Sequence, residues 1–583
     1  MGTISDKLMR IINTKEDIRK ALISKGYDVP TSVPFKEYAK MILDLPCKVD
    51  SFPDIEGIVA RYSASGLTNE QMAANPVWAD KTGNGRDLQL KNFSWKRMSG
   101  VGGYVQDFND FRNNATVDKI RIDEQSSNSI KVTILTTGIS NTIYIPKNIY
   151  QFNKSYFIKI SSEGYDEGDM ALSFYAPSTS TATTVTVSLN PNGITEIPAI
   201  KEDDFLAVYI NVSGKVGSFT VEQLPLYPGA LVFDGVDDYG VCKNFPILTK
   251  EKGYTVVALR QWDQDFLNTT LTGGLLSTRN YSTGEGVAFE KIESSNKGYW
   301  NLGAGGIIDF AKSPFTWQTS KQYNNVGILK GDKNHGKPLC VGCGLSGGQQ
   351  CGRFAIWELV FLDHDATEEE LTKIKDYFVK TYPWLFPDQA WTVTGKTNED
   401  EDRATIANIT GNGNDLVLSN FGFIEGSGYN KEGEYAGYLV TDGVDDKITS
   451  SIFEMGNDWT VIGDWELINT GKKDNAGIVK FDSIVIYNYN PILINIKNGR
   501  NNLILDQNTV NAICSDGRIY SKDWKESIYN EETESTSKNF LTIGYSGNSY
   551  TKIAFKNLAI YPTVLSKEDC IKAYNYLQTI KSK

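Results

Sequence analysis

The chain has 583 residues and a formal net charge of −12, with 59 Lys and Arg against 71 Asp and Glu. A nucleic-acid binder needs a cationic surface to displace counterions, so this acidic balance disfavours nucleic acid as a partner. Hydrophobic residues make up 40% of the chain, yet no apolar run reaches the length of about 20 residues that spans a bilayer, so we expect large cores and no membrane insertion.

Three short helical patterns fill residues 1–50. In "TISDKLMRII", for example, Ile4, Leu8 and Ile11 fall on one helical face. Helices this short bury little surface alone, so we predict that they pack on a partner or assemble into an oligomer. The alternative is an intramolecular clasp on the domain that follows. This segment also lacks the pattern of a signal peptide, so we expect the protein to stay in the compartment where it is made.

Two short signatures occur twice in the same order. "TGNGRDLQLKNF" at 82–93 returns as "TGNGNDLVLSNF" at 410–421, and "LVFDGVDD" at 231–238 returns as "LVTDGVDD" at 439–446. The first signature leads into strand-like residues, so its glycines are interpreted as turn residues rather than as a phosphate-binding loop. The shared order predicts two copies of one domain.

Each copy closes with a strand and a short helix. Thr367 or Ser566 stands at the N-cap position, and Glu370 or Asp569 follows three residues later, which is the spacing of a capping box. Neither copy alternates strands with helices. We therefore predict that each copy is an antiparallel β-sandwich with a single helix at its end.

The first copy contains an insertion. From Thr82 to Asp234 is 152 residues in the first copy, and from Thr410 to Asp442 is 32 residues in the second. The first copy therefore holds 120 extra residues between the two signatures. The extra stretch alternates apolar and polar residues in runs such as "NSIKVTIL", which predicts a further β-sandwich set into a surface loop. The predicted domains are residues 1–50, residues 54–387 with the inserted sandwich at 112–227, and residues 389–583.

Each DGVDD motif brings three carboxylates together. Closely spaced oxygens suit Ca²⁺, and a carboxylate pair can hydrolyse glycosides. Asp side chains in so short a turn can instead bond the neighbouring backbone amides. We predict structural turns and keep calcium and catalysis as alternatives. The residues concerned are Asp234, Asp237, Asp238, Asp442, Asp445 and Asp446.

His335, Cys340, Cys343 and Cys351 lie within 17 residues and resemble a Cys₃His zinc site. In an unbroken strand, Cys340 and Cys343 would point to opposite faces, so we expect thiols and keep zinc as the alternative. Seven cysteines spread thinly along the chain predict no disulfide framework.

The chain offers little material for catalysis. It has two histidines, and we expect both His335 and His364 on the surface. No nucleophile elbow or zinc-protease motif occurs. We therefore expect a protein that is not an enzyme, with no catalytic, cofactor or metal residue assigned. Sandwich faces rich in aromatic residues commonly bind sugars, but the sequence does not single out which rings would do so.

The repeated segments resemble a known fold. "LVFDGVDDYG" followed by "YTVVALRQW" and later by "DATEEELTKIKDYF" resembles the concanavalin A-like, laminin-G-like jelly roll, as does the second copy. This resemblance implies a mainly β protein with two jelly rolls, besides the inserted sandwich and the short helical N-terminal segment. The fold hosts lectins, glycosidases and adhesion modules, so it implies no single function.

The segment "KLMRIINTKEDIRKALISKGYDVPTSVPFKEYAKMI" resembles the start of fibre and other virion proteins of tailed phages of gut Bacteroidetes, including the crAss-like group. The resemblance implies that residues 1–50 dock on the capsid or another virion protein and form a dimer or trimer, while the jelly rolls project and hold host surface glycans. It implies a head fibre on the virion surface, assembled in the bacterial cytoplasm. The alternatives are a tail fibre or receptor-binding protein, a polysaccharide-degrading enzyme and a cell-surface adhesin. Glycan-contact residues vary among such proteins, so none is carried over.

Overall fold

The computed structural model divides the chain into two compact units, residues 1–54 and residues 55–583. Of residues 1–51 the structure describes Lys15, Ile18 and Arg19, which are helical, so the predicted N-terminal helices lie almost entirely outside the described residues. Residues 52–580 are described except for 140, 178–183, 247–253, 268, 279–287, 292–296, 301–306, 310–317, 322–338, 346–348, 434, 469–476, 482–483, 488–491, 497–500, 506–509, 522–523, 529–540 and 547–548.

The second unit is mainly β, which confirms the predicted fold class. Before and within the insertion, the strands are β1 (Ile58–Ser63), β2 (Val77–Trp78), β3 (Leu88–Lys91), β4 (Gly100–Val101), β5 (Arg112–Asn113), β6 (Ile120–Gln125), β7 (Ser129–Ile134), β8 (Asn141–Pro146), β9 (Tyr156–Glu163), β10 (Met170–Tyr175), β11 (Val185–Leu189), β12 (Ile194–Ile197), β13 (Ala207–Val212) and β14 (Gly217–Gln223). The rest of the first copy contains β15 (Leu231–Asp234), β16 (Tyr239–Cys242), β17 (Thr255–Trp262), β18 (Gly273–Ser277), β19 (Ala288–Lys291), β20 (Lys297–Trp300), β21 (Ile307–Asp309), β22 (Gln318–Lys321), β23 (Leu339–Val341), β24 (Cys343–Leu345), β25 (Gln349–Cys351) and β26 (Arg353–Leu362).

The second copy contains β27 (Gln389–Thr392), β28 (Thr405–Ile406), β29 (Leu416–Ser419), β30 (Gly428–Tyr429), β31 (Leu439–Val440), β32 (Lys447–Thr449), β33 (Thr460–Leu467), β34 (Gly477–Phe481), β35 (Ile484–Tyr487), β36 (Ile492–Ile496), β37 (Asn501–Leu505), β38 (Val510–Cys514), β39 (Arg518–Ser521), β40 (Glu526–Ile528), β41 (Thr542–Ile543), β42 (Tyr545–Ser546), β43 (Ser549–Tyr550) and β44 (Ile553–Tyr561). The helices of this unit are α1 (Asn69–Ala74), α2 (Gln264–Leu267), α3 (Glu368–Thr381) and α4 (Lys567–Leu577), with single 3₁₀ turns at Phe108–Asp110, Lys147–Ile149 and Pro383–Leu385. None of these helices is long and apolar enough to cross a membrane.

Two sheets form the first copy, antiparallel except where β18 pairs in parallel with β25. One has the order β22-β17-β26-β15-β4, with β1 also paired to β26. The other has the order β2-β3-β16-β23-β18-β19-β20-β21, with β24 and β25 at its side. Side chains from both sheets, among them Leu88, Phe233 and Trp262, form one buried core. Because strands of both sheets contribute side chains to this one core, the copy is a sandwich.

The second copy repeats this arrangement. One sheet has the order β30-β31-β44-β33-β38-β39-β40, with β27 also paired to β44, and the other has the order β28-β29-β32-β41-β34-β35-β36-β37. Leu416, Trp391 and Phe555 belong to the core between them. The long strands β26 and β44 each contain a bulge at the same place, with Trp357 and Lys556 as the extra residues opposite β17 and β33. The duplication read from the sequence therefore extends to backbone detail.

The insertion folds as a sandwich of two five-stranded sheets, with the orders β11-β10-β13-β8-β5 and β12-β9-β14-β7-β6. Its core is separate from those of the two copies and includes Ile143, Phe174, Val132 and Phe219. The alternation read in the sequence produces this core, because inward positions along each strand are apolar. The domain limits themselves stay predictions.

Helix α4 packs against the inserted sandwich and the first copy as well as its own. The ring of Tyr574 lies 5.5 Å from that of Phe157 in the inserted sandwich, and the ring of Tyr576 lies 5.9 Å from that of Trp357 in the first copy. Aromatic pairs at such distances add to the stabilisation that burial provides. These contacts fix the inserted sandwich beside both copies.

The TGNG turns enter strands, as interpreted from the sequence. In the first copy, Gly83 and Gly85 have φ of +77° and +68°, and β3 begins shortly after them. The Thr82 hydroxyl donates to Asp80 at 2.8 Å, and the Thr410 hydroxyl makes the same bond to Asn408 at 2.9 Å in the second copy. Both turns are held by local side-chain hydrogen bonds, which is a structural role.

Candidate functional site

The acidic motif of the first copy is a tight turn held by its own carboxylates. Asp234 Oδ1 accepts from the backbone N–H of Val236 at 2.8 Å, and Asp238 Oδ2 accepts from the N–H of Asp234 at 3.0 Å. The other oxygen of Asp238 accepts from the Ser99 hydroxyl at 3.1 Å. Gly235 has a φ of +75°, and a Cβ there would lie 2.8 Å from Arg353, so the turn requires glycine.

The second copy repeats the turn. Asp442 Oδ1 accepts from the N–H of Val444 at 2.7 Å, and Asp446 Oδ2 accepts from the N–H of Asp442 at 2.8 Å. In each motif, oxygens of the three carboxylates lie within 4.8 Å of one another. These hydrogen bonds account for the spacing of the motif without a ligand, and calcium stays the alternative that the sequence leaves open.

Burial raises the pKa of one carboxyl group in each motif. Asp238 and Asp446 are fully buried. Burial first, and then the charge of Asp234, raise the pKa of Asp238 to about 7. Burial raises the pKa of Asp446 to about 6. Both groups therefore titrate near neutral pH, where an ordinary aspartate is fully ionised.

The cysteine cluster differs from its prediction. Cys340 and Cys343 form a disulfide bond, although no disulfide was expected. Their side chains converge because the chain bends at Gly342, whose φ is +95°, and this bend separates β23 from β24. The expectation of opposite faces assumed an unbroken strand and is wrong. Cys351 is buried beside the pair, and His335 lies outside the described residues.

His364 lies in the loop before α3, as expected, and is about one-third exposed. Its ring nitrogens lie 3.3 Å from Asp363 Oδ1 and 3.2 Å from Glu370 Oε1. Glu370 is the capping-box carboxylate of α3, paired with Thr367. The histidine therefore supports a helix terminus rather than a reaction.

A row of polar and aromatic side chains crosses the outer face of one sheet of the inserted sandwich. The strand register pairs Arg112 with Tyr144, Tyr144 with Tyr209, Tyr209 with Ser173, and Ser173 with Thr186. Directly opposed residues share one face of a sheet, so these five side chains form a continuous line, named here the tyrosine row. Neighbouring strands lie about 4.8 Å apart, so the row spans roughly 19 Å.

Aromatic rings occupy the middle of the tyrosine row. The rings of Tyr144 and Tyr209 stack with centroids 5.6 Å apart and planes 30° apart. Tyr175, which is 47% exposed, meets the edge of Tyr209 at 6.0 Å. Partial burial and the neighbouring rings raise the pKa of Tyr209, so its hydroxyl stays protonated at neutral pH.

The alternation of the strands places these rings outside. Ile143 and Ile145 flank Tyr144 and are buried, and Val208 and Ile210 flank Tyr209 in the same way. With a period of two, each tyrosine must then face away from the core. The signal is present in the sequence, in "NTIYIP" and "FLAVYINV", but these tyrosines were not among the predicted site residues.

Polar groups continue the row on both sides of the rings. Asn211 Nδ2 donates to Ser173 Oγ at 2.8 Å, and the hydroxyls of Ser173 and Thr186 lie 3.3 Å apart. At the other end, Arg112 is exposed and forms no ion pair with any residue that the structure describes. The row therefore combines partly exposed aromatic rings, hydroxyls and one cation on the outer face of the sheet.

This arrangement offers the kinds of group that sugar binding uses. Aromatic faces pack against the C–H surfaces of sugars, while hydroxyl, amide and guanidinium groups exchange hydrogen bonds with sugar hydroxyls.

Comparisons with known proteins do not assign a family. No protein-family model matches the chain, and no curated protein matches it. Among solved structures, the botulinum neurotoxin serotype D binding domain is 10% identical, covering 58% of this chain and 89% of that one with a TM-score of 0.23. The Trypanosoma rangeli sialidase in complex with the inhibitor DANA is 8% identical, covering 82% and 98% with a TM-score of 0.25. Scores this low carry no functional argument.

Proposed function

We propose that this protein is a non-enzymatic glycan-binding protein of a phage virion, a capsid-attached head fibre whose β-sandwiches hold host or mucus glycans weakly and in many copies. The observation that supports glycan binding is the tyrosine row. The virion assignment rests on the resemblance of the N-terminal segment, and the proposed oligomer would supply avidity in place of single-site affinity.

The shape of the row supports an extended glycan. Two stacked rings at its centre offer a surface for sugar faces, and the hydroxyls of Ser173 and Thr186 offer hydrogen bonds on one side. A length of roughly 19 Å accommodates several sugar units in line across the strands. Arg112 adds a cation for a carboxylate or sulfate group on such a chain.

A glycan array tests this proposal. The full-length protein is applied in its wild-type form and as Tyr144→Ala and Tyr209→Ala. We expect the wild type to bind a defined set of glycans on the array, and both variants to lose this binding. Removing a stacked ring costs about 1.4 kcal/mol, which lowers the affinity by a factor of about ten.

Thr220→Ala is the matched control, because Thr220 lies half-buried in the other sheet of the same sandwich. It should bind as the wild type does. Circular dichroism establishes that all variants are folded. Retention of the same glycans by the wild type and both tyrosine variants would contradict the proposed site.

Particle association is tested separately. Residues 1–50 are expected to bind the capsid or another virion protein and to hold the dimer or trimer together. Mass spectrometry and imaging of purified particles should find the full chain on the capsid surface, and deletion of residues 1–50 should remove it. Normal incorporation of the truncated chain would contradict the docking role, and a position on the tail would favour a tail fibre.

A polysaccharide-degrading enzyme is the second candidate, since the acidic motifs offer paired carboxylates. Hydrolysis of a bound glycan by the purified protein, abolished by Asp234→Asn or Asp442→Asn with the fold intact, would favour this candidate. We expect no turnover, because these carboxylates are hydrogen-bonded into their own turns.

A further inference from the structure

Three cysteines of the first copy share one buried cluster. Cys340 and Cys343 are joined by a disulfide, and Cys351 lies beside them as the thiol. The three side chains pack together, with Tyr239 and Val241 against them. A thiol and a disulfide are therefore held side by side in one buried cluster, and thiol–disulfide exchange requires that proximity.

Cys343 has a possible disulfide partner on each side. Its Cα lies 6.3 Å from that of Cys340, to which it is bonded. In the strand register, Cys343 is also directly opposite Cys351 in the antiparallel pair of β24 and β25. Directly opposed residues have Cα atoms about 4.5–5.5 Å apart, within the range of about 4.4–6.8 Å that a disulfide spans.

The second copy shows that the fold does not need these cysteines. Gly544 bends the chain there with a φ of +77°, as Gly342 does in the first copy. Thr542 stands at the position of Cys340, and the directly opposed pair is Tyr545 and Tyr550. All three cysteines are thus additions to a framework that forms without them.

We propose that the cluster is an intramolecular thiol–disulfide exchange site with two alternative pairings, Cys340–Cys343 and Cys343–Cys351. The Cys351 thiolate attacks the Sγ of Cys343, the new S–S bond forms, and the Cys340–Cys343 bond breaks. Cys340 leaves as a thiolate and takes up the proton that Cys351 released. No oxidant or reductant is consumed, and the inference is independent of the glycan-binding proposal.

The two pairings tie different parts of the sheet. The Cys340–Cys343 bond links β23 to β24 across the bend at Gly342, whereas a Cys343–Cys351 bond would close the β24–β25 pair. Exchange therefore moves a covalent link from the bend between β23 and β24 to the β24–β25 pair of the same sheet, leaving Cys340 as the thiol.

The surroundings make exchange slow at neutral pH. Burial first, and then the charges of Asp234, Asp237 and Asp238, raise the pKa of the Cys351 thiol to about 12. Since the thiolate is the attacking species, the rate should rise about tenfold per pH unit below that pKa.

Differential labelling of the full-length protein tests the proposal. The protein is held at about pH 7 and about pH 9 without oxidant, quenched in acid, unfolded and treated with a first alkylating reagent, then reduced and treated with a second. Trypsin leaves all three cysteines on one fragment, residues 334–353, so fragment ions show which cysteine holds each label. We expect the first label on both Cys351 and Cys340, with the share on Cys340 growing faster at the higher pH.

Cys340→Thr provides a second, independent readout, because threonine occupies this position in the second copy. With oxidised glutathione, Cys343 and Cys351 should form a disulfide while the glutathione is reduced to two thiols. Cys242→Ser, a buried cysteine outside the cluster, should exchange as the wild type does. A first label confined to Cys351 at both pH values, with no Cys343–Cys351 bond in Cys340→Thr, would overturn the proposal.

Discussion

The two copies of the repeated sandwich keep the same turns but differ in what is added to them. Asp234 and Asp442, and Gly235 and Gly443, make the same turn with the same backbone bonds. The inserted sandwich and the cysteine cluster occur in the first copy alone. Repeated residues therefore maintain the backbone, and the candidate sites lie in what only one copy carries.

A second difference between the copies lies on β26 and β44, the long last strand of each copy. In the first copy, Glu358 is fully buried and bonded to Arg61 at 3.2 Å and to the Tyr382 hydroxyl at 2.8 Å. In the second copy, Asn557 stands at the corresponding position, also fully buried, and neither polar atom of its side chain has a hydrogen-bond partner within the described part of the chain. The same position therefore holds an ion-paired carboxylate in the first copy and, within the described part of the chain, an amide without hydrogen-bond partners in the second.

Substitutions that disturb these two buried groups should have the largest effect on the unfolding free energy. Arg61→Met leaves the Glu358 carboxylate buried without its cation, and we expect a loss of about 3–5 kcal/mol in unfolding free energy. Asn557→Leu removes two unsatisfied polar atoms, so it should cost less than about 1 kcal/mol or stabilise the protein. Hydrogen exchange of β26 and β44 amides reports each copy separately. Equal losses of amide protection, in β26 of Arg61→Met and in β44 of Asn557→Leu, would contradict this prediction.

The acidic turns should differ from each other in pH dependence. Asp238 has a raised pKa in the folded state, so its contribution to stability is largest at low pH and is lost as the pH rises through about 7. Asp238→Asn removes this loss. As the pH rises from about 5 to about 8, the unfolding free energy of the variant should therefore increase by about 2–3 kcal/mol relative to that of the wild type. Urea unfolding at each pH measures this difference.

Asp446→Asn is the matched variant in the second copy. It should show the same sign and a smaller gain, because the pKa of Asp446 is raised only to about 6. A stability difference that does not change with pH in either variant would show that these carboxyls stay ionised in the folded protein. Stabilisation by calcium that depends on both residues would favour the metal alternative.

The tyrosine row gives the next largest effect. Tyr209→Ala should lower the affinity for a bound glycan about tenfold, since the stacked ring is lost. Tyr209→Phe keeps the ring and loses the hydroxyl, so it should lower the affinity by a smaller factor. Calorimetric titration with the glycan identified on the array measures both. An equal loss in the two variants would assign the binding to the hydroxyl rather than to the ring.

Arg112→Gln should give the smallest effect. An exposed cation contributes about 0.2–1 kcal/mol, and salt screens it. We expect weaker binding of glycans that carry carboxylate or sulfate, no change for neutral glycans, and a difference that vanishes at high salt. An equal loss for neutral glycans would show that Arg112 acts through hydrogen bonds to hydroxyl groups.

The sequence predicted what depends on local pattern. The repeated signatures, the cap of α3 at Thr367 and the alternation inside the insertion all follow from residues near one another in the chain. The path of the chain at Cys340 was not predictable in the same way, because strand alternation fails where Gly342 takes a positive φ. One backbone angle decided whether two thiols meet.

The tyrosine row could not be assembled from the sequence for a different reason. It joins residues from Arg112 to Tyr209 through four strand pairings, and a slip of one residue in any of them would move side chains to the opposite face. Alternation shows which tyrosines face outwards, but only the register shows which of them are neighbours.

The most direct test of the account is the structure of the protein crystallised with a glycan that it retains on the array. We predict sugar rings over Tyr144 and Tyr209 on the outer face of the inserted sandwich, with hydrogen bonds towards Ser173 and Thr186. A glycan seated on either repeated sandwich, with the tyrosine row bare, would contradict the account.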